Sequence, residues 1–232
     1  MLYKDEAKLN HRNKKEYSKN LKELGEFVRK AEKNSDGKPL LQEQLLGNVK
    51  KSKKTHPEHN HCDFPRKNYK SDRITEKRIC RCMKYYGQDK ELCRGCGLNK
   101  KWNNAGELRI TDYEVPMEYV IPKVGGIDLL IDDKYAAEMK PEESSETLVR
   151  MFAEILTYTI DSNYSPAICF FENSKQMEDF QRFRREQNED LELLMKYVDV
   201  FYISYDYDEK TRVANYKIKP TEEYEDNDGN GC

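Results

Sequence analysis

The feature that most constrains this chain is a pair of short apolar runs that carry charges and are joined by a tight turn. Residues 125–141 have the sequence GGIDLLIDDKYAAEMKP. Asp132-Asp133-Lys134 predicts a hairpin turn between two strands. Because side chains alternate along a strand, Glu138 and Lys140 share one face, and the hairpin register brings Asp128 close to them. We therefore expect three charges to converge at one sheet edge, where burial is unfavourable unless they are neutralised.

The pattern around this hairpin predicts an α/β fold. Three consecutive strands followed by a crossover helix give a mixed central sheet flanked by helices. Apolar residues at helical spacing predict a further helix near the N-terminus, and a polar stretch before the cysteines predicts a loop. The expected strands are 106–115, 127–131, 135–139, 166–171, 198–205 and 213–218, of which the last two are expected at the sheet edge. The expected helices are 14–33, 144–160 and 174–197, and the second of them begins at Ser144 or Ser145. The expected loop is 50–78.

The charged residues divide the chain into two unequal halves. They make up 36% of the 232 residues, with a net charge of −2. Residues 1–100 contain 26 Lys or Arg against 14 Asp or Glu, whereas residues 101–232 contain 15 against 29. A basic half is typical of proteins that bind polyanions. The alternative is that the two halves attract each other within the fold.

Apolar runs in this sequence are short, and the mean hydropathy is −1.02. None approaches the roughly 20 residues of a membrane helix. The first residues also lack the apolar segment of a signal peptide. We therefore expect a cytoplasmic protein that does not bind membranes.

Four cysteines within a short stretch form a second candidate site. In a reducing compartment they favour metal binding over disulfides, and four thiolates suit tetrahedral Zn²⁺. An iron–sulfur cluster, free thiols, or a ligand from His59, His61 or Cys62 are the alternatives. We predict a structural zinc module at 79–97, which lies within a basic N-terminal region at 1–105. The core is expected at 106–220, and an acidic disordered tail is expected at 221–232. The expected zinc ligands are Cys80, Cys82, Cys93 and Cys96.

Basic residues are interleaved with aromatic residues in and around the cysteine stretch. This composition suits contacts with phosphates and stacking on bases. The alternative for the aromatic residues is packing of the module against the sheet. The candidate nucleic-acid-binding residues are Arg78, Arg81, Lys84, Arg94, Lys100 and Lys101.

The charges of the hairpin suit cleavage of a phosphodiester. Carboxylates that lie together bind hard cations such as Mg²⁺ or Mn²⁺. A lysine beside them can orient or deprotonate a water molecule, or stabilise charge in the transition state. The alternative is a buried ion-pair cluster without chemistry.

The stretch GGIDLLIDDKYAAEMKP resembles the core of the PD-(D/E)XK nuclease superfamily, in its RecB-like and Cas4-like branch. Asp128 corresponds to the first acid of that pattern, and Glu138 and Lys140 to its acid-x-Lys element. The branch carries Gln-x-x-x-Tyr on the next helix, where this chain has Glu154 and Tyr158.

The resemblance implies a restriction-endonuclease-like core and metal-dependent hydrolysis of nucleic acid, with DNA as the expected substrate. It implies that Asp128 and Glu138 bind Mg²⁺, that the carbonyl of Met139 completes the site and that Lys140 acts on the attacking water. Many members carry a further acid on an upstream helix, for which Glu43 is the candidate. A homodimer or a larger complex is compatible with this expectation, and a catalytically silent nucleic-acid-binding or scaffold module with the same fold is the alternative function.

Overall fold

One mixed sheet of seven strands organises the described part of the chain. A computed structural model describes residues 14–34, 50–51, 72–88, 98–115, 119–120, 126–159 and 162–224. The strands are β2 (Lys101–Asn104), β3 (Ile110–Val115), β5 (Ile127–Ile131), β6 (Tyr135–Lys140), β7 (Ser165–Phe171), β8 (Asp199–Asp208) and β9 (Val213–Pro220). Their order is β2-β9-β8-β7-β6-β5-β3. Two short strands, β1 (Lys50–Lys51) and β4 (Tyr119–Val120), pair separately.

The directions of the strands agree with the predicted α/β class. β3, β5 and β6 are antiparallel neighbours. β6, β7 and β8 run parallel, and β9 returns antiparallel to β8 and parallel to β2. The connection from β6 to β7 passes through a helix, as parallel neighbours require. The hairpin and the mixed sheet are therefore confirmed.

Helices cover both faces of the sheet. They are α1 (Lys14–Asn34), α2 (Asp72–Tyr85), α3 (Leu148–Tyr158), α4 (Lys175–Arg185) and α5 (Glu189–Leu194). The first core lies between one sheet face and α1, α3, α4 and α5. The second core lies between the opposite face and α2. Burial of these apolar surfaces is the main term that stabilises the fold.

The predicted domain boundary at 105 divides elements that pack together. β2 pairs with β9 in the same sheet as the core, and the rings of Trp102 and Phe171 lie 5.0 Å apart. From α1, the hydroxyl of Tyr17 accepts a hydrogen bond from the backbone N–H of Leu148 at 2.8 Å. The described parts of the N-terminal region therefore belong to the α/β unit.

Several predicted elements differ from the observed ones. The expected helix at 174–197 is two helices, because Gln187 has a φ of 49° and Asn188 caps α5. Thr147, rather than Ser144 or Ser145, caps α3. The predicted edge strands are internal, since β2 and β3 form the edges. Residues 72–78 lie in α2 rather than in a loop.

The structure describes the first four residues of the predicted tail, 221–224. Thr221–Glu223 form a 3₁₀ turn, and the ring of Tyr224 packs edge-on against Tyr202 with centroids 5.3 Å apart. Residues 225–232 lie outside the described part of the chain.

Among the described residues, no helix has the length and the apolar character needed to cross a membrane.

Candidate functional site

The site lies where β5 and β6 separate. Their pairing runs from the turn to Leu129 and Ala137 and goes no further, although β6 extends to Lys140. At the next position the carboxylate of Asp128 accepts a hydrogen bond from the backbone N–H of Met139 at 2.8 Å. A side chain thus satisfies a buried donor that the neighbouring strand would otherwise satisfy.

Lys140 lies at the centre of a group of carboxylates. Its Nζ is 2.6 Å from Glu138 Oε1 and 3.8 Å from Asp128 Oδ2. It is also 3.2 Å from Glu76 Oε2 and 3.3 Å from Glu146 Oε2. The three residues of the sequence motif do converge, and two further acids join them.

The additional acids come from elements distant in sequence. Glu76 lies on α2, which packs on the second face of the sheet and brings this carboxylate to the edge opened at β5 and β6. Glu146 lies in the segment between β6 and α3. The amide of Gln176 on α4 donates to the carbonyl oxygens of Ser144 and Glu146, at 3.3 and 2.6 Å, and so fixes this segment.

Arg150 on α3 connects two of the acids. Its Nε is 2.8 Å from Glu154 Oε1, and its guanidinium is 3.4 Å from Glu146 Oε1. Both acids are four residues from Arg150, and for Glu154, which lies on the same helix, this spacing favours an ion pair. Five acids and two cations form this group, which we call the carboxylate cluster. Its members are Glu76, Asp128, Glu138, Glu146, Glu154, Lys140 and Arg150.

Burial within the carboxylate cluster is graded. Glu138 and Lys140 are 3% and 4% exposed and form its floor. The side chains of Asp128 and Glu146 retain 15% and 24% exposure. The cluster therefore opens to solvent on the side of Glu146.

This arrangement shifts the protonation of its members. Burial, with the nearby charge of Asp128, raises the pKa of Glu76 to about 8 and raises the pKa of Glu138 well above its ordinary value. Burial disfavours charge on Lys140, but the surrounding carboxylates, Glu138 first, raise its pKa. Burial likewise opposes charge on Glu154, but Lys140 and Arg150 lower its pKa. The cluster contains more acids than cations, so the acids with raised pKa values keep their protons to higher pH than exposed acids do.

Three of these acids have the spacing that could hold a metal ion. Among the described residues, ligand oxygens of Glu138, Glu146 and Glu154 lie within 4.8 Å of one another. Oxygen ligands sit about 2.0–2.1 Å from Mg²⁺, so a small contraction brings these oxygens into one coordination sphere. The predicted pair was Asp128 with Glu138. Asp128 lies beside this set, and its Oδ2 accepts from Met139.

The remaining motif residues have different surroundings. Glu154 is 1% exposed and lies in the carboxylate cluster. Tyr158 is fully buried in the first core.

Two of the four predicted zinc ligands lie in the described part of the chain. Cys80 and Cys82 lie on α2 and are buried in the second core. Residues two apart on a helix point about 200° apart, so the two thiols do not face one another. The sulfur of Cys82 accepts a hydrogen bond from the backbone N–H of Trp102 at 3.3 Å. Cys93 and Cys96 lie outside the described residues.

The predicted nucleic-acid contacts have mixed surroundings. Arg81 is 4% exposed, so it does not offer its charge to a polyanion. Lys100 packs on the ring of Tyr205, 4.4 Å from its centroid, and lies 3.8 Å from Glu142. The residues that retain partial exposure are Arg78, Lys84 and Lys101. Arg94 and Glu43 lie outside the described residues.

Comparison of this chain with protein-family models, with curated proteins and with solved structures gives no match in any of the three.

Sequence reasoning missed Glu76, Glu146 and Arg150. A signal existed for the last two, because Glu146, Arg150 and Glu154 follow one another at intervals of four, which places Arg150 and Glu154 on one side of α3 and Glu146 directly before its cap, Thr147. No local signal distinguishes Glu76 from any other helical acid. Its role depends on the packing of α2.

Proposed function

We propose that this protein is a Mg²⁺- or Mn²⁺-dependent nuclease that hydrolyses phosphodiester bonds of nucleic acid, with DNA as the first substrate to test. The observation that carries the proposal is the excess of acid in the carboxylate cluster. Five carboxylates converge around two cations in a largely buried site. Buried acids of this number are stable when protons or a metal ion compensate them.

The proposal assigns separate roles to the acids. Glu138, Glu146 and Glu154 are the candidate ligands. Asp128, whose Oδ2 is fixed by the N–H of Met139, is positioned to bind the ion directly or through water. A bound divalent ion would act as a Lewis acid and would lower the pKa of a coordinated water.

Lys140 can act in two ways, and its protonation state decides between them. The carboxylates around it keep the ammonium protonated, so it carries a positive charge in the metal-free protein. In this state it can stabilise negative charge on a phosphate but cannot accept a proton. A divalent ion that engages the same carboxylates would weaken their hold on the ammonium and lower its pKa towards that of a base.

The arrangement of strands also supports the proposal. Three antiparallel strands, a helix and a parallel strand surround the motif. The resemblance to PD-(D/E)XK nucleases implies a mixed central sheet flanked by helices, with which this order is compatible. Fold alone does not assign function, so the test has to address the site.

The decisive experiment measures cleavage of single- and double-stranded DNA and RNA with Mg²⁺, Mn²⁺ or EDTA. We expect Glu138→Gln and Asp128→Asn to reduce the cleavage rate at least about 100-fold. Both changes preserve shape, and the Asn oxygen can still accept from Met139. The matched control is Asp133→Asn, an exposed acid in the turn of the same hairpin, which should leave the rate unchanged.

A binding measurement separates loss of chemistry from loss of metal. Mg²⁺ should raise the melting temperature of the wild type and of Asp133→Asn but not of Glu138→Gln, since a ligand that binds the folded state stabilises it by mass action. Cleavage that is equal in all variants, or that persists in EDTA, would contradict the proposal. A wild type that binds Mg²⁺ and nucleic acid without cleaving would instead establish the silent module.

A further inference from the structure

A polar pocket of about 360 Å³ lies at the end of β3 remote from the carboxylate cluster. The pocket includes Ile110, the first residue of β3, whereas the cluster adjoins the end of β3 at Val115, which pairs with Ile127. Five residues of strand separate these ends by about 17 Å. The polar residues that line the pocket are Lys84, Gln88, Asn103, Asn104, Arg109 and Thr111.

The charges of this pocket are opposite to those of the carboxylate cluster. Of the residues that the structure describes, Lys84 and Arg109 line it, and no carboxylate does. Across the described residues, no ion pair or hydrogen bond involves the ammonium of Lys84 or the guanidinium of Arg109. Two uncompensated cations at one concave surface favour an anionic ligand.

Lys84 and Arg109 contribute unequally to this argument. Lys84 lies in the last turn of α2, where a cation also offsets the helix dipole. Arg109 lies in the segment before β3 and has no such role, so it is the stronger indication of a ligand. The helix end does not repel an anion strongly, because the carbonyls of Cys82 and Tyr85 accept from the N–H groups of Tyr86 and Gln88.

The walls of the pocket are held in place by hydrogen bonds. The amide of Asn103 donates to Asn215 Oδ1 at 2.8 Å. The amide of Asn104 donates to the carbonyl of Leu108 at 2.8 Å, and its oxygen accepts from the N–H of Gly106. A wall of this kind loses little entropy when a ligand binds.

The turn after α2 lies against the same wall of the pocket. Gly87 has a φ of 78°, a conformation that side chains rarely adopt, and a Cβ there would lie 3.3 Å from Asn103 Oδ1. Glycine therefore lets the turn approach the wall closely.

We propose that this pocket binds a small organic phosphate of the mononucleotide class. The cations would hold the phosphate, with the guanidinium of Arg109 able to bind two of its oxygens. The side-chain amides that line the pocket would donate hydrogen bonds to the organic part of the ligand and accept hydrogen bonds from it, beside the ring of Tyr86. The volume lies within the range of about 300–1,000 Å³ that is usual for small-molecule sites. This inference does not depend on the proposed nuclease activity.

The test is calorimetric titration of the full chain with adenosine monophosphate, adenosine and inorganic phosphate, in EDTA to exclude metal-mediated binding at the carboxylate cluster. We expect the nucleotide to bind at least 10-fold more tightly than either fragment. The Lys84→Gln/Arg109→Gln double variant should weaken that binding at least 10-fold.

The control is Arg185→Gln/Lys210→Gln, which removes the same charge from two exposed positions outside the pocket. It should bind the nucleotide as the wild type does. Equal weakening in both double variants would overturn the proposal, because the effect would then be one of net charge. Tighter or equal binding of adenosine or of inorganic phosphate would also overturn it. The Asp128→Asn variant should keep nucleotide binding intact, so failure here and failure of the nuclease proposal are distinguishable.

Discussion

The two ends of the β5–β6 hairpin carry nearly the same charges in opposite surroundings. The turn has Asp132, Asp133 and Lys134, all exposed. The other end has Asp128, Glu138 and Lys140, of which Glu138 and Lys140 are almost fully buried. Two acids and one lysine at each end therefore offer an internal comparison in which composition is held constant.

The exposed end uses its charges for local structure. Asp132 Oδ1 accepts from the N–H of Arg109 at 2.8 Å, and Lys134 donates to the hydroxyl of Tyr135 at 2.5 Å. The buried end gathers acids from three further segments around its lysine. What separates the two ends is desolvation, which makes charges interact strongly and moves their pKa values. Residue type alone does not create the candidate site.

The largest expected difference between the two ends is in the contribution of their lysines to stability. Lys140→Met leaves buried carboxylates without their cation and should lower the free energy of unfolding by about 3–5 kcal/mol at neutral pH. Lys134→Met, at the solvated end, should leave it unchanged within error. Urea denaturation of both variants in EDTA measures this.

The same experiment at low pH sharpens the result. Protonation of the carboxylates removes the charge that Lys140 compensates, so the deficit of Lys140→Met should shrink as the pH falls. A deficit below about 1 kcal/mol at neutral pH, or one equal to that of Lys134→Met, would mean that the cluster is solvated rather than buried.

The next effect concerns the pH dependence of the metal-free protein. Burial raises the pKa of Glu76 to about 8 from an ordinary value of 4.5. The folded state then binds this proton more tightly than the unfolded chain does. The contribution to stability is complete below the unfolded pKa and is lost as the pH rises through about 8, with a slope of at most about 1.4 kcal/mol per pH unit.

Glu76→Gln should therefore flatten the stability profile between these two pKa values. The comparison variant is Asp132→Asn, which removes an exposed acid at the other end of the hairpin. Denaturation curves at several pH values in EDTA test the difference. Parallel profiles for wild type and Glu76→Gln would show that Glu76 is ionised throughout this range.

The sequence predicted the hairpin and its three charges because both are local. Asp128 and Lys140 are twelve residues apart, and one tight turn fixes which residues face one another. Glu76 lies 64 residues from Lys140, and its position follows from the packing of α2 on the second face of the sheet. Local sequence patterns do not predict how α2 packs on the sheet.

The errors elsewhere have similar physical causes. The strand β9 was expected at an edge because the four residues of β2 are too short to give a strand signal. The sequence pattern did not place Cys80 and Cys82 on a helix, where they pack beside Ile79 and Met83. The helical spacing of these four residues was the available signal.

The smallest expected effect is at the exposed end and is one of backbone conformation. Asp132 and Asp133 have φ values of 51° and 52°, which suits a two-residue hairpin turn but is less favourable for residues with a Cβ than for glycine. Asp133→Gly should raise the free energy of unfolding by less than about 1 kcal/mol, and it keeps the N–H that donates to Thr111. Thermal denaturation with and without Mg²⁺ should show the same small shift in both conditions, since this turn lies at the end of the hairpin opposite the proposed metal ligands. A shift that depends on Mg²⁺ would mean that the two ends of the hairpin are coupled, and the comparison between them would then no longer separate turn from site.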